Sequence, residues 1–454
     1  MSARDWITFP ATGRRARYGW ARDLARAGAW QALLASAHGD PRQRPHCDCR
    51  WQGRPLELVV RERRHEDDGQ VVTQFHLARM PGQGRHHGPA CPFHETDPQR
   101  SGRSDYVDGV VRQLDDGRVS VLLDRGLRVA ERASAPVRPQ LSRGDDASRP
   151  ARHRQARMRQ LGLLHLLWES AGLTNWEPAV SRRRAFWPGV RAALADAAHN
   201  IVAGRTALDR HLVPIGYRDP EGVAQLAATV DRCGDSWRVL MVGVVDQLRV
   251  DGGGVWRDGT PRPPRLRLTF DGARDYALFV AGDAALASRL QLSYPWACRE
   301  LARERSARSI KVVGLVSAQV RRTGDAGNWT YNAWTDSVSL MEVGPSLIPV
   351  ASSYELAILT ALQDAGRVFR KPLRFDAAQD VVLPDFELLD TAAPQGTPLE
   401  VFGRQDEAYQ ARREVKRAYY SDVYGADGWW SWDATRGAPW PAFPPPQGGA
   451  SGHG

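Results

Sequence analysis

Three of the five cysteines and seven of the twelve histidines of this 454-residue chain fall between residues 38 and 94, and no other feature limits its fold as strongly. Cys47-Asp48-Cys49 precedes a strand-like run at residues 56–63. His87-Gly88-Pro89-Ala90-Cys91 follows a second run at 71–79, with Asp67-Asp68-Gly69 as the turn between them. A hairpin between two ligand pairs returns both pairs to one end, which is the geometry of a zinc ribbon. Structural zinc requires four N/S donors in a closed tetrahedron, and Cys47, Cys49, His87 and Cys91 supply them. The set leaves no open coordination position, so the metal reads as structural. His46, His86 and His94 compete with His87 for its place, and C-x-C is a tighter bite than C-x-x-C. Reduced thiols packed as small hydrophobes are the plain alternative. A bound ion would stand in for the core that a module of this size lacks. Cys233 and Cys298 lie alone and read as buried thiols, and five unevenly spaced cysteines exclude a disulfide framework.

The length predicts about three domains. A formal charge of +10 and a pI near 9.7 suit a polyanionic partner, with nucleic acid, DNA above all, the expected one. Arginine skew from GC-rich coding also raises the charge, because only Lys311, Lys371 and Lys416 are lysines among 62 basic residues. A single arginine therefore says little here, and each lysine says more. No apolar run approaches the roughly 20 residues of a membrane span, and no signal segment opens the chain, so a cytoplasmic protein with no membrane partner is expected.

The expected fold class is α+β and multidomain. Residues 1–130 form the zinc-ribbon-like module, with a second hairpin at 106–123. Residues 131–159 are an arginine-rich linker, read equally as a solvated tether or a DNA-tracking arm. Residues 160–225 are helical, with room for a helix-turn-helix, and 226–349 form an antiparallel β region. Trp168, Trp176 and Trp187 among arginines are read as core anchors ahead of base-stacking groups. Residues 350–425 form a further α/β unit, and the Trp/Pro/Gly-rich tail 426–454 is expected to be largely disordered.

The sharpest chemistry lies in that α/β unit. One strand carries Asp385 and the next carries Glu400; paired as a hairpin, they bring two carboxylates to one face, a hard-oxygen site for Mg²⁺. Such an ion activates water and neutralises charge building on a phosphodiester. A helix before them, 352–367, puts Glu355 in its first turn, although Ser352-x-x-Glu355 is equally a capping box. A helix after them, 406–420, aligns Tyr409, Arg413, Lys416 and Tyr420 in a stripe suited to a phosphate backbone. Pro384-Asp385 also reads as a strand-entry turn, and Lys416 as an exposed helix lysine.

The order helix–strand(Asp)–strand(Glu)–helix resembles the PD-(D/E)XK nuclease superfamily, through Pro384-Asp385-Phe386 and Glu400-Val401-Phe402, with Glu355 as an additional helix acid. The resemblance implies a restriction-endonuclease-like unit with Glu355, Asp385, Glu400 and a lysine as its catalytic group. Phe402 stands where that lysine should be; Lys416 from the following helix, or more weakly Gln405, is the substitute. Along nearly its full length the chain resembles an uncharacterised bacterial family carried by plasmids and integrative conjugative elements. The shared features are Cys47-x-Cys49, Arg79-Met80-Pro81-Gly82, His87-x-x-x-Cys91, residues 164–168, Ile348-Pro349-Val350, Lys371-Pro372-Leu373-Arg374 and Leu399-Glu400-Val401-Phe402-Gly403. The expected function is a mobile-element DNA-binding protein with a Mg²⁺-dependent nuclease-like unit. A nuclease fold that binds or scaffolds DNA without cleaving it is the alternative, and an adaptor for proteins a weaker third.

Overall fold

The computed structural model describes residues 6–17, 26–67, 70–80, 111–114, 118–129, 157–180, 186–255, 259–325, 328–373, 383–394, 396–403 and 407–447, with Gln83, His86, His87, Cys91, Phe93 and Arg184. The architecture is mixed α+β, with eight α-helices and several sheets among these residues. None of these helices is long and apolar enough to cross a membrane.

The N-terminal module contains β1 (Trp6–Phe9), β2 (Arg14–Arg17), α1 (Ala27–Ala37), β3 (His46–Trp51), β4 (Arg54–Asp67) and β5 (Gln70–Arg79), in the sheet order β2-β1-β3-β4-β5. Ile7, Phe9, Trp30, Leu34, Leu58 and Phe93 pack with Cys47 and Cys91 into a core that, among the described residues, shares none with the other cores. This is more than a ribbon. Cys47 and Cys49 lie inside a strand instead of before one, and an apolar core adds to whatever a metal contributes.

The second hairpin, β6 (Val111–Gln113) and β7 (Val119–Val121), does not belong to this module as expected. After α2 (Gln160–Ser170), β8 (Asn175–Trp176) and α3 (Trp187–His199), the chain forms β9 (Ile201–Ala203) and β10 (Thr206–Ala207), and β7 pairs in parallel with β9. The boundary at residue 130 is thus displaced by long-range pairing. Residues 131–156 of the basic linker lie outside the described residues, but Met158, assigned to the linker, is buried and bridges Leu123.

Sixteen residues that include β8 separate α2 from α3, a longer connection than the turn of about three or four residues in a helix-turn-helix. In α2, Leu163, Leu164, Leu166, Leu167 and Trp168 are all buried, and the Trp168 indole donates to the Leu347 carbonyl at 2.9 Å. The Arg184 guanidinium sits 5.9 Å from the Trp176 ring and donates to the carbonyls of Gly172 (3.0 Å) and Leu173 (2.8 Å). Trp168 and Trp176 are therefore core anchors. Trp187 lies against Gly216, where an added Cβ would meet its ring at 2.1 Å, so the close approach demands glycine.

The strand-rich region closes on itself. It contains β11 (Leu212–Ile215), α4 (Pro220–Cys233), β12 (Val239–Asp251), the short pair β13 (Gly254–Val255) and β14 (Pro261–Arg262), β15 (Arg265–Phe270) and β16 (Leu278–Asp283). It continues with α5 (Ala284–Ser293), α6 (Pro295–Leu301), β17 (Lys311–Thr323) and β18 (Thr330–Val343). Antiparallel ladders join β12 to β15, β15 to β16, β18 to β17 and β17 back to β12, while β16 and β18 pair in parallel. The result is a five-stranded Greek-key barrel rather than an open antiparallel sheet, with β11 added in parallel along β12 as a sixth strand. Alternation along β15 and β16 buries Leu266, Leu268, Phe270, Leu278 and Val280 and turns the intervening side chains out.

The chain ends in α7 (Ser353–Asp364), β19 (Phe369–Arg370), β20 (Phe386–Leu388), β21 (Thr397–Phe402), α8 (Glu407–Tyr424) and β22 (Trp430–Asp433), in the sheet order β22-β21-β20-β19-β8. Phe369, Phe386, Leu399 and Trp430 share one apolar core with the barrel, so this unit is not an isolated domain. The expected disorder of the tail is corrected as well. The helix α8 returns the chain so that β22 pairs in parallel with β21, and Trp430 is buried with its indole donating to the Pro441 carbonyl at 3.2 Å. Residues 448–454 lie outside the described residues.

Candidate functional site: a Cys/His centre and a buried charge cluster

In the N-terminal module the register of β3 against β4 shifts between Cys47 and Arg50, so Asp48 and Cys49 form a bulge. Donor atoms of Cys47, Cys49, His87 and Cys91 all lie within 4.8 Å of one another, and theirs is the only such group of three or more among the described residues. His87 Nδ1 is 3.1 Å from the Cys47 Sγ and 3.6 Å from the Cys91 Sγ. Tetrahedral zinc, with Zn–S near 2.3 Å and Zn–N near 2.0 Å, sets neighbouring donors about 3.5–3.8 Å apart. The donor set fits a closed metal site whose ion would cross-link β3 to the segment after β5.

Of the rival ligands, His86 stacks on Trp51 at 4.1 Å, His46 stands outside the group, and His94 lies outside the described residues. The neighbouring Cys49 thiol pushes Cys47 up to about 11, and Cys47 and Cys49 raise Cys91 as well. Crowding of this kind means that a bound cation displaces protons. Cys233 is buried as expected, whereas Cys298 is half-buried; both thiols are pushed up by burial.

The second constellation gathers residues from α7, the ends of β19 and β20, β21 and α8. Phe386 pairs with Leu399, so the preceding residue, Asp385, comes level with Glu400. Asp385 Oδ2 accepts from the Val401 N–H at 2.7 Å, extending the ladder with a side chain. Both earlier readings of Pro384-Asp385 meet here: it is a strand entry, and it faces the site. Glu355 likewise combines two roles. Ser352 caps α7 by accepting from the Glu355 N–H at 3.1 Å, while Glu355 Oε2 accepts from the Ala351 N–H at 3.0 Å and from Lys371 Nζ at 2.6 Å.

Lys371, just after β19, also lies 3.9 Å from Asp385. Lys416 donates to Glu400, and so does the Tyr420 hydroxyl at 3.2 Å. The stripe on α8 therefore faces inward. Besides Lys416 and Tyr420, Arg413 is buried and pairs with Asp433 at 2.8 Å, and Tyr409 accepts from the Gly403 N–H at 3.4 Å. It does not form the exposed track expected for a phosphate backbone. Phe402 shares the face of Glu400, fully buried, with the Arg413 guanidinium 4.8 Å from its ring. Gln405 lies outside the described residues.

Three carboxylates thus meet two ammonium groups in a nearly closed space. Burial raises the pKa of Glu355, with Lys371 pulling it back. Burial and then Asp385 push Glu400 up to about 8 against the opposing pull of Lys416 and Lys371. Burial acts to lower Lys371, but Glu355, Asp385 and Glu400 outweigh it, and the lysine stays above its ordinary value. Two other acids of this unit meet an arginine: the half-buried Asp390 pairs with Arg367 at 2.7 Å and the buried Glu387 with Arg370. The cluster differs in holding more acid than base. Of the four expected residues, Glu355 and Asp385 share Lys371, Glu400 pairs with Lys416, and the two groups adjoin where Asp385 accepts from the Val401 N–H.

Sequence reasoning did not place Lys371 in the site. Its signal was rarity: two of only three lysines point into this cluster, while Lys311 donates to the Pro345 carbonyl elsewhere. Among comparisons with known proteins, no curated protein and no solved structure matches the chain. A family model described as "Protein of unknown function (DUF1173)" matches residues 21–435, a span that takes in the Cys/His centre, the barrel and the charge cluster, and the chain belongs to that family.

Proposed function

We propose that the C-terminal cluster is a phosphodiester-hydrolysing centre of nuclease type that acts on DNA. The observation that supports this reading is the convergence of Glu355, Asp385 and Glu400 with, among the described residues, the ammonium groups of Lys371 and Lys416 against them. Ionisable groups are expensive to bury, and five of them from separate elements at one point are a recognised mark of a functional site. Magnesium is typically held by one or two carboxylates plus water and substrate phosphate, and Asp385 and Glu400 suit that role. The ion would supply an activated water and charge neutralisation. In this reading Lys371 and Lys416 hold the carboxylates while no substrate is present and bind the phosphate when it arrives. The access route is by Asp385 and Lys416, whose side chains are 18% and 20% exposed against 2% for Glu400. A source of substrate on plasmids or integrative elements follows from the sequence resemblance alone.

The buried Phe402 favours a second reading, in which the unit binds or scaffolds DNA without cutting it. The position expected to hold a lysine is filled by an aromatic ring, and each lysine present is already paired with a carboxylate. Incubation of full-length protein with supercoiled and linear DNA in Mg²⁺ or Mn²⁺ separates the two. Divalent-dependent nicking that Asp385→Ala abolishes, with the circular-dichroism spectrum retained, is the expected outcome. Cleavage surviving in Asp385→Ala would refute the assignment, and salt-dependent DNA binding without cleavage would establish the second reading.

A further inference from the structure

The outer surface of the barrel carries a feature that the charge cluster does not use. Phe279 on β16 and Trp334 on β18 are 51% and 47% exposed, although both lie within regular strands. Phe279 faces Asn332 across the parallel ladder and Ala281 faces Trp334, so the two rings occupy diagonal corners of one patch. The adjoining strand supplies cations: Arg267 pairs with Ala281, and the Arg265 guanidinium lies 5.7 Å from the Trp334 ring. Arg249 and Arg267 share Asp251, at 3.3 and 2.8 Å, which leaves the pair with excess positive charge. Arg265 is held below its ordinary pKa, first by burial and then by the charges of Arg262 and Arg267.

An open groove of about 970 Å³ continues from Arg267 and Phe279 past Arg249 to Arg274 and Tyr217. Tyr217 is a third exposed ring, 53% accessible, with the Arg218 guanidinium 4.9 Å from its centre. The groove also holds three acids: Asp271 is paired with Arg305 at 2.7 Å, Asp246 lies 3.7 Å from Arg305 and 3.8 Å from Arg308, and Asp275 accepts from the Arg218 N–H at 3.1 Å.

Flat rings alternating with guanidinium groups are what unpaired nucleotides require. Each base stacks on a ring without regard to its identity, and each phosphate meets an arginine. A duplex keeps its bases stacked on one another and leaves such rings idle. Five-stranded Greek-key barrels of the oligonucleotide-binding class use the outer face of their second and third strands, which here are β15 and β16. Fold alone assigns no function; the side chains do so in this case.

We propose that the outer face of β15, β16 and β18 binds single-stranded nucleic acid, with bases stacked on Phe279 and Trp334 and phosphates held by Arg265 and Arg267. This surface is independent of the nuclease reading, and its test uses no divalent ion. Anisotropy of a fluorescein-labelled thymidine oligonucleotide, titrated with full-length protein without added magnesium, gives the affinity. Phe279→Ala and Trp334→Ala are each expected to weaken binding by about tenfold to a hundredfold. Arg265→Ala should flatten the dependence of log affinity on log salt by about 0.7. All three positions are on the barrel's outer face, so unchanged thermal midpoints are expected.

The proposal is overturned by absence of oligonucleotide binding, by unaltered affinity in the Phe279→Ala/Trp334→Ala double variant, or by equal losses for a duplex of the same sequence. A wild-type dimer that the double variant splits in sedimentation, with oligonucleotide affinity unchanged, would reassign the face to a second copy of the chain. Cleavage by the Asp385 centre is read separately in Mg²⁺, so failure of either proposal leaves the other standing.

Discussion

Glu400 is the residue whose surroundings say most about the C-terminal unit. It sits 2% exposed between Lys416 and Tyr420, and its pKa of about 8 exceeds the ordinary 4.5. The folded protein therefore holds this proton more tightly than the unfolded chain. The resulting stabilisation is complete below the unfolded value and is lost as pH rises through about 8. Glu400→Gln has no proton to lose, so its thermal midpoint should change less between about pH 5 and pH 8 than that of the wild type. Parallel curves for the two proteins would show that Glu400 does not titrate in this window. At this scale the sequence was informative where partners lie close along the chain. Cys47-x-Cys49 and His87-x-x-x-Cys91 announce donors by local spacing alone. Lys371 and Glu355 are 16 positions apart on different elements, and their contact depends on how β19 follows α7. Rarity marked the lysine, but nothing in the local pattern gave its partner.

Among the elements, β22 changes the picture of the tail most. Trp430 gives β21 its second neighbour and packs against Phe443 at 5.3 Å between ring centres. Truncation to alanine of a buried indole costs about 3–5 kcal/mol, so Trp430→Ala should lower the thermal midpoint and speed amide exchange in residues 397–402. Unchanged exchange there would mean that β21 needs no partner on that side. The composition of WWSWD and PWPAFPPP reads as low complexity because the partner strand lies across the whole of α8. The barrel eluded local reading for the same reason. Each strand alternates legibly, but closure rests on β12 meeting β17 some 70 positions later and on the parallel pairing of β16 with β18. Alternation gives which residues turn inward and carries no information about which strand comes next in space.

Among the described residues the N-terminal module has its own apolar core, while barrel, buried helix and charge cluster, all from β6 onward, are joined by apolar packing, so two unfolding units are expected. Stripping a bound ion from the Cys/His centre with a chelator is expected to melt the N-terminal module and leave the rest folded. Calorimetry would then show loss of one transition, and hydrogen exchange would show new exposure confined to residues 6–93; a single cooperative collapse would contradict the division. Proton release on adding zinc back would accompany recovery, since the crowded thiols must ionise. The parallel pairing of β22 with β21 also has a bearing on synthesis. Glu400 and Asp385 emerge from the ribosome before Lys416, and Lys416 before the strand that flanks Glu400. A growing polypeptide therefore carries Glu355 and Lys371 first, then Asp385 and Glu400, and gains Lys416 and the covering strand last. The five charges and the strand that flanks Glu400 are all present only once translation has passed Asp433.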